Sequence, residues 1–301
     1  MTRTIPFRAL AWFVLITFGL TWGVAALYIG ASDWATTRFG ALSTTHPLFY
    51  LATWAPAISA LALVLAYAGP RGAGRFLSRL LVWRLPASWA VFVLVVIPAV
   101  FVTGSLIKGG PLLASLPEGG VPALLTLLGL MLFLGPVEEL GWRGVAQPLL
   151  QRRMAPLWAA IVIGIVWGIW HLPAFLISTT VFSGWSVLPF LLGNVLLSIL
   201  VTPMLNAGRG GLLWPALFHW QLINPVWPDA QPWDTWLLLP LVALVVWRNR
   251  DGMLRRNGAV TEVVPPGPRL ALPDGLPETW RAKAPPKRRG RSAGSAAPWH
   301  G

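Results

Sequence analysis

Apolar residues form eight long runs along the chain, and polar residues are concentrated between them. A helix needs about 20 residues to cross a hydrocarbon core of ~30 Å, and most of these runs approach that length. No strand-like alternation is visible, and a chain in lipid must satisfy its backbone hydrogen bonds internally. The pattern predicts an all-α polytopic membrane protein with about eight transmembrane helices. The predicted spans are residues 9–29, 48–69, 88–107, 121–137, 156–177, 185–205, 211–224 and 233–247.

The composition supports the same class. Hydrophobic residues make up 55% of the 301 positions and charged residues only 11%, which is typical of a multi-pass protein embedded in the lipid bilayer. The chain has no cysteine, which excludes disulfides, thiolate metal sites and a cysteine nucleophile. Most of the +13 formal charge lies in loops and in the C-terminal segment, so we expect no nucleic-acid partner.

Basic residues between the predicted spans indicate the orientation, because cytoplasmic loops retain Lys and Arg. The N-terminal segment and one set of loops contain nine arginines, whereas the opposite set contains only Arg38 and Lys108. We therefore predict an integral, multi-pass protein of a bacterial-type cell membrane with both termini in the cytoplasm. The nine arginines are Arg3, Arg8, Arg71, Arg75, Arg79, Arg84, Arg152, Arg153 and Arg209.

The apolar pattern stops after residue 247. Residues 248–301 are rich in Pro, Gly, Ala, Lys and Arg without helical or strand periodicity, which predicts a basic, disordered cytoplasmic tail. The sequence thus divides into a transmembrane domain at residues 1–247 and a tail at residues 248–301. The basic cluster at residues 283–291 either contacts anionic lipid or is a solvated segment that reinforces the orientation.

Glu138 and Glu139 are adjacent acidic residues at the end of the fourth apolar run. A charge at mid-bilayer costs about 2.5 to 3.5 kcal/mol on insertion scales, so intramembrane carboxylates usually have a function. On a helix, Glu139 and Arg143 are four residues apart and can pair, whereas Glu138 projects about 100° away. This leaves Glu138 as a candidate general base in an intramembrane catalytic cavity.

Two histidines, His171 and His219, lie in other apolar runs and are further candidates for the same site. Their positions raise a geometric question. Glu138 ends its predicted span at the cytoplasmic side, whereas His171 is ~15 residues, or ~22 Å, beyond the cytoplasmic start of its own. For the two to meet, either the fourth helix extends deeper than hydropathy indicates or the fifth begins in the interface. The Gly135-Pro136 pair provides a kink for the first alternative.

Three short motifs occur in order, each on a separate predicted span. They are E-E-x-x-x-R at Glu138, Glu139 and Arg143, F-x-x-x-H at His171 with Trp167 for Phe, and H-x-x-x-N at His219, with asparagine one residue late as Asn224. Over residues 121–224 the chain thus resembles the CAAX protease and bacteriocin-processing (CPBP/Abi) family of intramembrane endopeptidases, which are type II CAAX prenyl endopeptidase-like.

The resemblance implies a function and a role for each residue. It implies hydrolysis of a peptide bond in a membrane-associated or lipidated peptide or protein. Glu138 and His171 would activate a water molecule, and His219 would bind the oxyanion together with Asn224. Because Asn224 lies about 140° around a helix from His219, Asn194 is a second candidate donor, although Pro225 favours a non-helical backbone at Asn224.

Alternative functions remain open from the residues alone. Glu138, His171 and His219 supply the N and O ligands of a catalytic zinc, although the chain contains no H-E-x-x-H motif. The two histidines also suit a haem or quinone carrier. A non-catalytic scaffold, a transporter or a bacteriocin-immunity protein is a further class. We favour the metal-free peptidase, with no cofactor.

Overall fold

The computed structural model describes residues 4–266 of the chain. In this range it contains fourteen α-helices and no β-strand, which confirms the predicted all-α class. The helices are α1 (Ala9–Gly30), α2 (Ser32–Phe39), α3 (Pro47–Thr53), α4 (Ala55–Leu77), α5 (Ala87–Val91), α6 (Ile97–Ile107), α7 (Gly120–Met131), α8 (Gly135–Gly141), α9 (Gln147–Gln151), α10 (Pro156–His171), α11 (Val187–Ala207), α12 (Leu213–Ile223), α13 (Trp233–Arg248) and α14 (Arg250–Leu254).

Within residues 4–266, five helical segments are long and apolar enough to cross a membrane, and a sixth arises if the bent pair α3 and α4 is one span. The class of helical membrane protein is therefore confirmed. The predicted spans at residues 211–224 and 233–247 correspond to α12 and α13, which have 11 and 16 residues. Both are shorter than the ~20 residues of a full crossing, so the predicted number of eight is approximate.

The fourth predicted span extends further than its hydropathy indicates. One helical segment, Gly120–Gln151, comprises α7, α8, a π-helical turn at Trp142–Ala146 and α9, with a short irregular break at residues 132–134. The prediction ended this span at residue 137 because the polar side chains that follow lower the local hydropathy. Those side chains are buried against other helices and do not end the helix; they include Arg143, Gln147 and Gln151.

Because this segment is longer, Glu138 and His171 lie at similar positions along the helix axes. Glu138 is about 13 residues before the end of α9, and His171 is about 15 residues after the start of α10, which are ~20 and ~22 Å along the two helices. Residues 152–155 join these helices. A connection this short makes the helices antiparallel neighbours, so the two side chains lie at similar depth. The structure therefore agrees with the first alternative from the sequence, in which the fourth helix extends further than hydropathy indicates.

Glycines fix α10 against α11. A Cβ added at Gly164 would lie 2.5 Å from Val195 Cα, and one at Gly168 would lie 2.9 Å from Leu191 Cδ2. A larger side chain at Gly164 would have to move the backbone of α11, whereas one at Gly168 would displace the Leu191 side chain. Small residues at such crossings allow helices to approach closely in a membrane. This contact fixes α10 and therefore the position of His171 at its end.

The residues after α13 are packed against the rest of the chain. Val263 is 1% exposed, and its carbonyl oxygen accepts a hydrogen bond from Arg79 Nη1 at 2.9 Å. The Thr261 carbonyl oxygen accepts from Arg152 Nε at 2.7 Å. The compact unit ends at Pro265, which differs from the predicted boundary at residue 247 because hydrogen bonds to main-chain carbonyls, invisible in a hydropathy profile, attach this segment. The remainder of the predicted tail, residues 267–301, lies outside the described residues.

Candidate active site

The two glutamates lie in α8, a short helix that begins after the irregular residues 132–134. Pro136 occupies its first turn, where the missing N–H removes no helical hydrogen bond. Glu138 and Glu139 are 4% and 2% exposed, so both carboxyl groups are removed from bulk water. Buried carboxylates require polar partners, and the two glutamates have different ones.

Glu139 contacts two basic side chains. Its Oε1 accepts a hydrogen bond from His219 Nδ1 at 2.8 Å, and its Oε2 lies 3.3 Å from Arg143 Nε, one helical turn later. The contact with Arg143 is an ion pair without hydrogen-bond geometry. The Glu139–Arg143 pair expected from the sequence is therefore present. The same carboxylate also orients His219.

Glu138 faces a different environment. Its Oε2 accepts a hydrogen bond from Trp167 Nε1 at 2.9 Å. The Arg143 guanidinium lies over the same Trp167 ring, 5.1 Å from its centroid, so this tryptophan contacts both charged groups. Among the described residues, Glu138 borders the main cavity and Glu139 does not. The 100° separation predicted for adjacent helical residues thus directs one carboxylate to the cavity and the other into the protein.

His171 is the last residue of α10 and also borders the cavity. Its Nδ1 lies 2.8 Å from the carbonyl oxygen of Trp167. Because a carbonyl oxygen only accepts hydrogen bonds, Nδ1 carries the proton, and the neutral ring has its lone pair on Nε2. Edge-on contacts with Trp170 and Phe190, at centroid distances of 4.7 and 5.3 Å, fix the ring plane. The result is an oriented imidazole with a free accepting nitrogen.

His219 lies in α12 and is 3% exposed. Its Nδ1 donates to Glu139, which leaves Nε2 as the nitrogen available to a substrate. A Cβ added at Gly135 would lie 2.6 Å from both Nε2 and Cδ2 of this ring. Gly135 is therefore required for the ring to take this position beside α8.

Asn224 follows α12 with an extended backbone, φ −71° and ψ 145°, as expected for a residue before proline. It borders the cavity. Its Nδ2 donates to Gln221 Oε1 at 3.0 Å, and its Oδ1 accepts from the Val226 amide at 3.1 Å. Both ends of this side chain therefore stabilise the turn after α12.

Asn194, the second candidate donor, is directed elsewhere. Its Nδ2 donates to the Phe190 carbonyl oxygen of its own helix at 2.9 Å. Asn194 is not among the described residues that border the cavity. Its side-chain amide is used within α11, and its Cβ packs near Gly168 of α10.

The cavity has a volume of about 420 Å³, and most of the side chains around it are apolar. This size lies within the usual range for small-molecule and peptide sites. The polar groups that reach it from the predicted site are Glu138, His171, His219 and Asn224. The structure thus brings four of the six predicted residues to one cavity and places Glu139 and Arg143 directly behind it.

The zinc alternative needs a converged set of metal ligands. In residues 4–266, no group of three or more His, Cys, Asp or Glu side chains is arranged to hold a metal ion. The zinc alternative therefore lacks a converged ligand set, and no step below passes through a metal.

Sequence reasoning missed three contacts of the candidate site. Trp167 was matched to a motif position, but its hydrogen bond to Glu138 was not anticipated; its position one turn before His171 is the signal that could have indicated it. Gly135 was interpreted only as a kink, although it contacts His219. Gln221 accepts hydrogen bonds from Asn224 and Trp227, and no pattern in the sequence marks it.

Comparison with known proteins supports the same segment. The family model described as Type II CAAX prenyl endopeptidase Rce1-like matches residues 120–223. This range contains five of the six predicted site residues and ends one residue before Asn224. A curated relative, CAAX prenyl protease 2 of Methanococcus maripaludis, is 27% identical over 250 residues, which cover 75% of this chain and 92% of that protein.

The matched region therefore contains the first two motifs and the histidine of the third. It begins with α7 and ends with α12, so it includes both glutamates, Arg143 and both histidines. The similarity to the Methanococcus maripaludis protein covers 75% of this chain and therefore extends well beyond residues 120–223. Residues 120–223 are therefore similar to the type II CAAX prenyl endopeptidase Rce1-like family, and the chain is a membrane-embedded peptidase, as the motifs predicted.

Proposed function

We propose that this peptidase hydrolyses a peptide bond within the membrane by using a water molecule activated by Glu138 and His171. The observation that carries the proposal is that the two glutamates contact different side chains. Glu139 contacts Arg143 and His219, whereas Glu138 accepts a hydrogen bond from the neutral Trp167 and borders the cavity. A carboxylate without a directly bonded cation retains the basicity to take a proton from water.

In the proposed reaction, Glu138 takes a proton from the water, and the water oxygen bonds to the carbonyl carbon of the peptide. Nε2 of His171 accepts a hydrogen bond from the remaining hydrogen of the water, which stays on the attacking oxygen and orients it. The C–N bond then breaks as the proton on Glu138 passes to the leaving nitrogen. The products are a carboxylic acid and an amine, so the bound proton is returned and the site is restored.

His219 is the proposed oxyanion donor. To donate from Nε2 the ring must carry a proton on both nitrogens, and the Glu139 carboxylate at 2.8 Å from Nδ1 stabilises this imidazolium. A preorganised donor of this kind contributes about 2.7 to 4 kcal/mol to transition-state stabilisation. Asn224 has the lesser role of holding the turn at the cavity wall, since both ends of its side chain are bonded within that turn.

The cavity chemistry indicates the substrate class. Apolar and aromatic side chains dominate its wall, and the chain is embedded in lipid. We propose that the substrate is a peptide with a membrane-embedded or lipid-anchored end. The curated relative has prenyl protease in its name; a prenylated peptide is one member of this class, and a bacteriocin-related peptide is another.

The test uses purified protein and a library of membrane-derived peptides, with products identified by mass spectrometry. Wild type is compared with Glu138→Ala and with Glu118→Ala, which changes an exposed acidic residue in the loop before α7. We expect new peptide ends from wild type and from Glu118→Ala, and none from Glu138→Ala. The same products from all three proteins would exclude Glu138 from the reaction.

A further inference from the structure

Loops at one end of the helices contact one another through main-chain carbonyls. Arg152, between α9 and α10, donates to the carbonyl oxygens of Ile5 and Thr261 at 2.6 and 2.7 Å. Arg79, after α4, donates to the carbonyl oxygen of Gly210, between α11 and α12, at 2.7 Å. These contacts define a basic end, which comprises residues 4–8, 71–85, 152–155, 208–212 and 248–266.

Loops at the opposite end of the same helices also contact one another. Thr179 Oγ1 donates to the Leu42 carbonyl oxygen at 2.7 Å, and Lys108 pairs with Asp229 at 2.8 Å. Because the helices run between the two sets of loops, these segments lie away from the basic end. They define a cavity end, which comprises residues 31–47, 108–119, 172–186 and 224–234.

The two ends differ strongly in charge. Among the described residues, the basic end has twelve basic and two acidic side chains, whereas the cavity end has two basic and four acidic side chains. The twelve are Arg8, Arg71, Arg75, Arg79, Arg84, Arg152, Arg153, Arg209, Arg248, Arg250, Arg255 and Arg256. Lys and Arg are retained on the cytoplasmic side of a membrane, so this asymmetry orients the basic end toward the cytoplasm.

The cavity lies toward the other end. Three of the four cavity-end segments contribute to its wall, for example Thr44, Phe182 and Trp227, and no described residue of the basic end does. His171 is the last residue of α10, directly before the cavity-end segment 172–186. The glutamate and histidine groups are therefore reached from the cavity end and not through the arginine-rich loops.

We propose that the active-site cavity opens on the non-cytoplasmic side of the membrane and that its substrates are peptides anchored in the membrane with the scissile bond presented from that side. This inference rests on the function proposed above and narrows its substrate class. An anchored cytoplasmic tail would meet the basic end, where buried Arg79 holds the carbonyl oxygens of Gly144, Gly210 and Val263. An exported peptide meets the aromatic wall of the cavity directly.

The absence of cysteine makes a direct test available, since any thiol label must come from an introduced residue. Ser183 lies at the cavity end and Ser78 at the basic end. Both are exposed, and each donates its hydroxyl to the carbonyl oxygen three residues earlier, at 2.9 and 2.8 Å. Ser183→Cys and Ser78→Cys are therefore matched substitutions, and neither residue belongs to the proposed catalytic site.

Each variant is treated with a charged, membrane-impermeant maleimide, in intact cells and after detergent lysis. We expect Ser183→Cys to be labelled in intact cells and Ser78→Cys only after lysis. Ser43→Cys in the cavity end and Ala207→Cys, directly before the basic-end segment 208–212, are also exposed and repeat the measurement with a second pair. Labelling of the basic-end cysteine alone, of both cysteines, or of neither in intact cells would overturn the proposal.

The labelling result does not depend on the reaction that the protein catalyses. Labelling reports the orientation even if the protein cleaves nothing, and Glu138-dependent cleavage in detergent reports the reaction on either orientation. If the labelling pattern is reversed but cleavage still depends on Glu138, only the proposal of a non-cytoplasmic substrate is refuted. Correct labelling without Glu138-dependent cleavage would refute the proposed function alone.

Discussion

The two adjacent glutamates of α8 face different environments. On the cavity side, Glu138 has one neutral hydrogen-bond donor, Trp167, and faces open space. On the inner side, Glu139 lies between Arg143 and His219. A paired, buried carboxylate holds its neighbours in place, whereas a carboxylate at a cavity wall remains available for proton transfer. Two identical, adjacent residues thus differ in environment, and the different roles proposed for them rest on that difference.

The largest effect on stability should come from the inner side. Arg143→Ala removes the cation beside Glu139 and leaves a buried carboxylate without its ion pair, which costs about 3 to 5 kcal/mol in comparable sites. We expect a strongly reduced yield of folded protein and a lower unfolding midpoint in detergent. Arg84→Ala, which removes an exposed arginine, is the control and should leave both unchanged. Equal midpoints for the two variants would contradict the structural role of the pair.

The next effect concerns the oxyanion donor. His219→Ala should lower turnover by roughly 10² to 10³, because it removes a preorganised donor, and should leave measurable residual activity. Chelators should not change wild-type turnover if no metal takes part. About one zinc per chain by elemental analysis, lost in His219→Ala together with activity that zinc restores to stripped wild type, would instead establish the metalloprotease.

The position of the His219 ring depends on Gly135. Gly135→Ala places a Cβ 2.6 Å from the His219 ring and must displace the ring or the helix. A displacement of about 1 Å can reduce turnover by roughly 10²-fold, so we expect a loss of that order. Gly129→Ala is the matched control in the same helical segment, because nothing lies within 4 Å of its added Cβ. Similar turnover in the two variants would show that the contact has no catalytic consequence.

The smallest effect should come from the asparagines. Asn224→Ala removes two hydrogen bonds of the turn at the cavity wall and should lower turnover about tenfold. Asn194→Ala removes a bond within α11 and should change turnover less. Turnover is measured at saturating peptide concentration. A loss in Asn194→Ala that exceeds the loss in Asn224→Ala would identify Asn194 as a participating donor.

Several parts of this architecture could be predicted from the sequence. Long apolar runs determined the helical membrane class, and helical spacing determined the Glu139–Arg143 pair and the separate direction of Glu138. The extended backbone at Asn224 followed from the proline after it. These features depend on residues that are close together in the sequence, so they can be predicted from it.

Other parts depend on contacts between distant segments. The fourth helix continues past Arg143 because Gln147 and Gln151 find partners in Thr202 and Asn206 of α11, and hydropathy counts such residues only as polar. Residues 249–266 looked disordered because their attachment uses main-chain carbonyls. The Trp167 bond to Glu138 likewise joins two helices whose relative rotation no local pattern specifies.

The most direct test of the division between the two glutamates measures stability and turnover on the same preparations of two isosteric variants. Glu138→Gln keeps the shape of the side chain and removes the proposed base. General base catalysis contributes roughly 10² to 10⁴ to a rate, so turnover should fall by at least that factor. The unfolding midpoint should stay near that of wild type. Glu139→Gln should lower the midpoint, because it removes the charge that pairs with Arg143. Near-wild-type turnover in Glu138→Gln, or a lower midpoint there than in Glu139→Gln, would contradict the account.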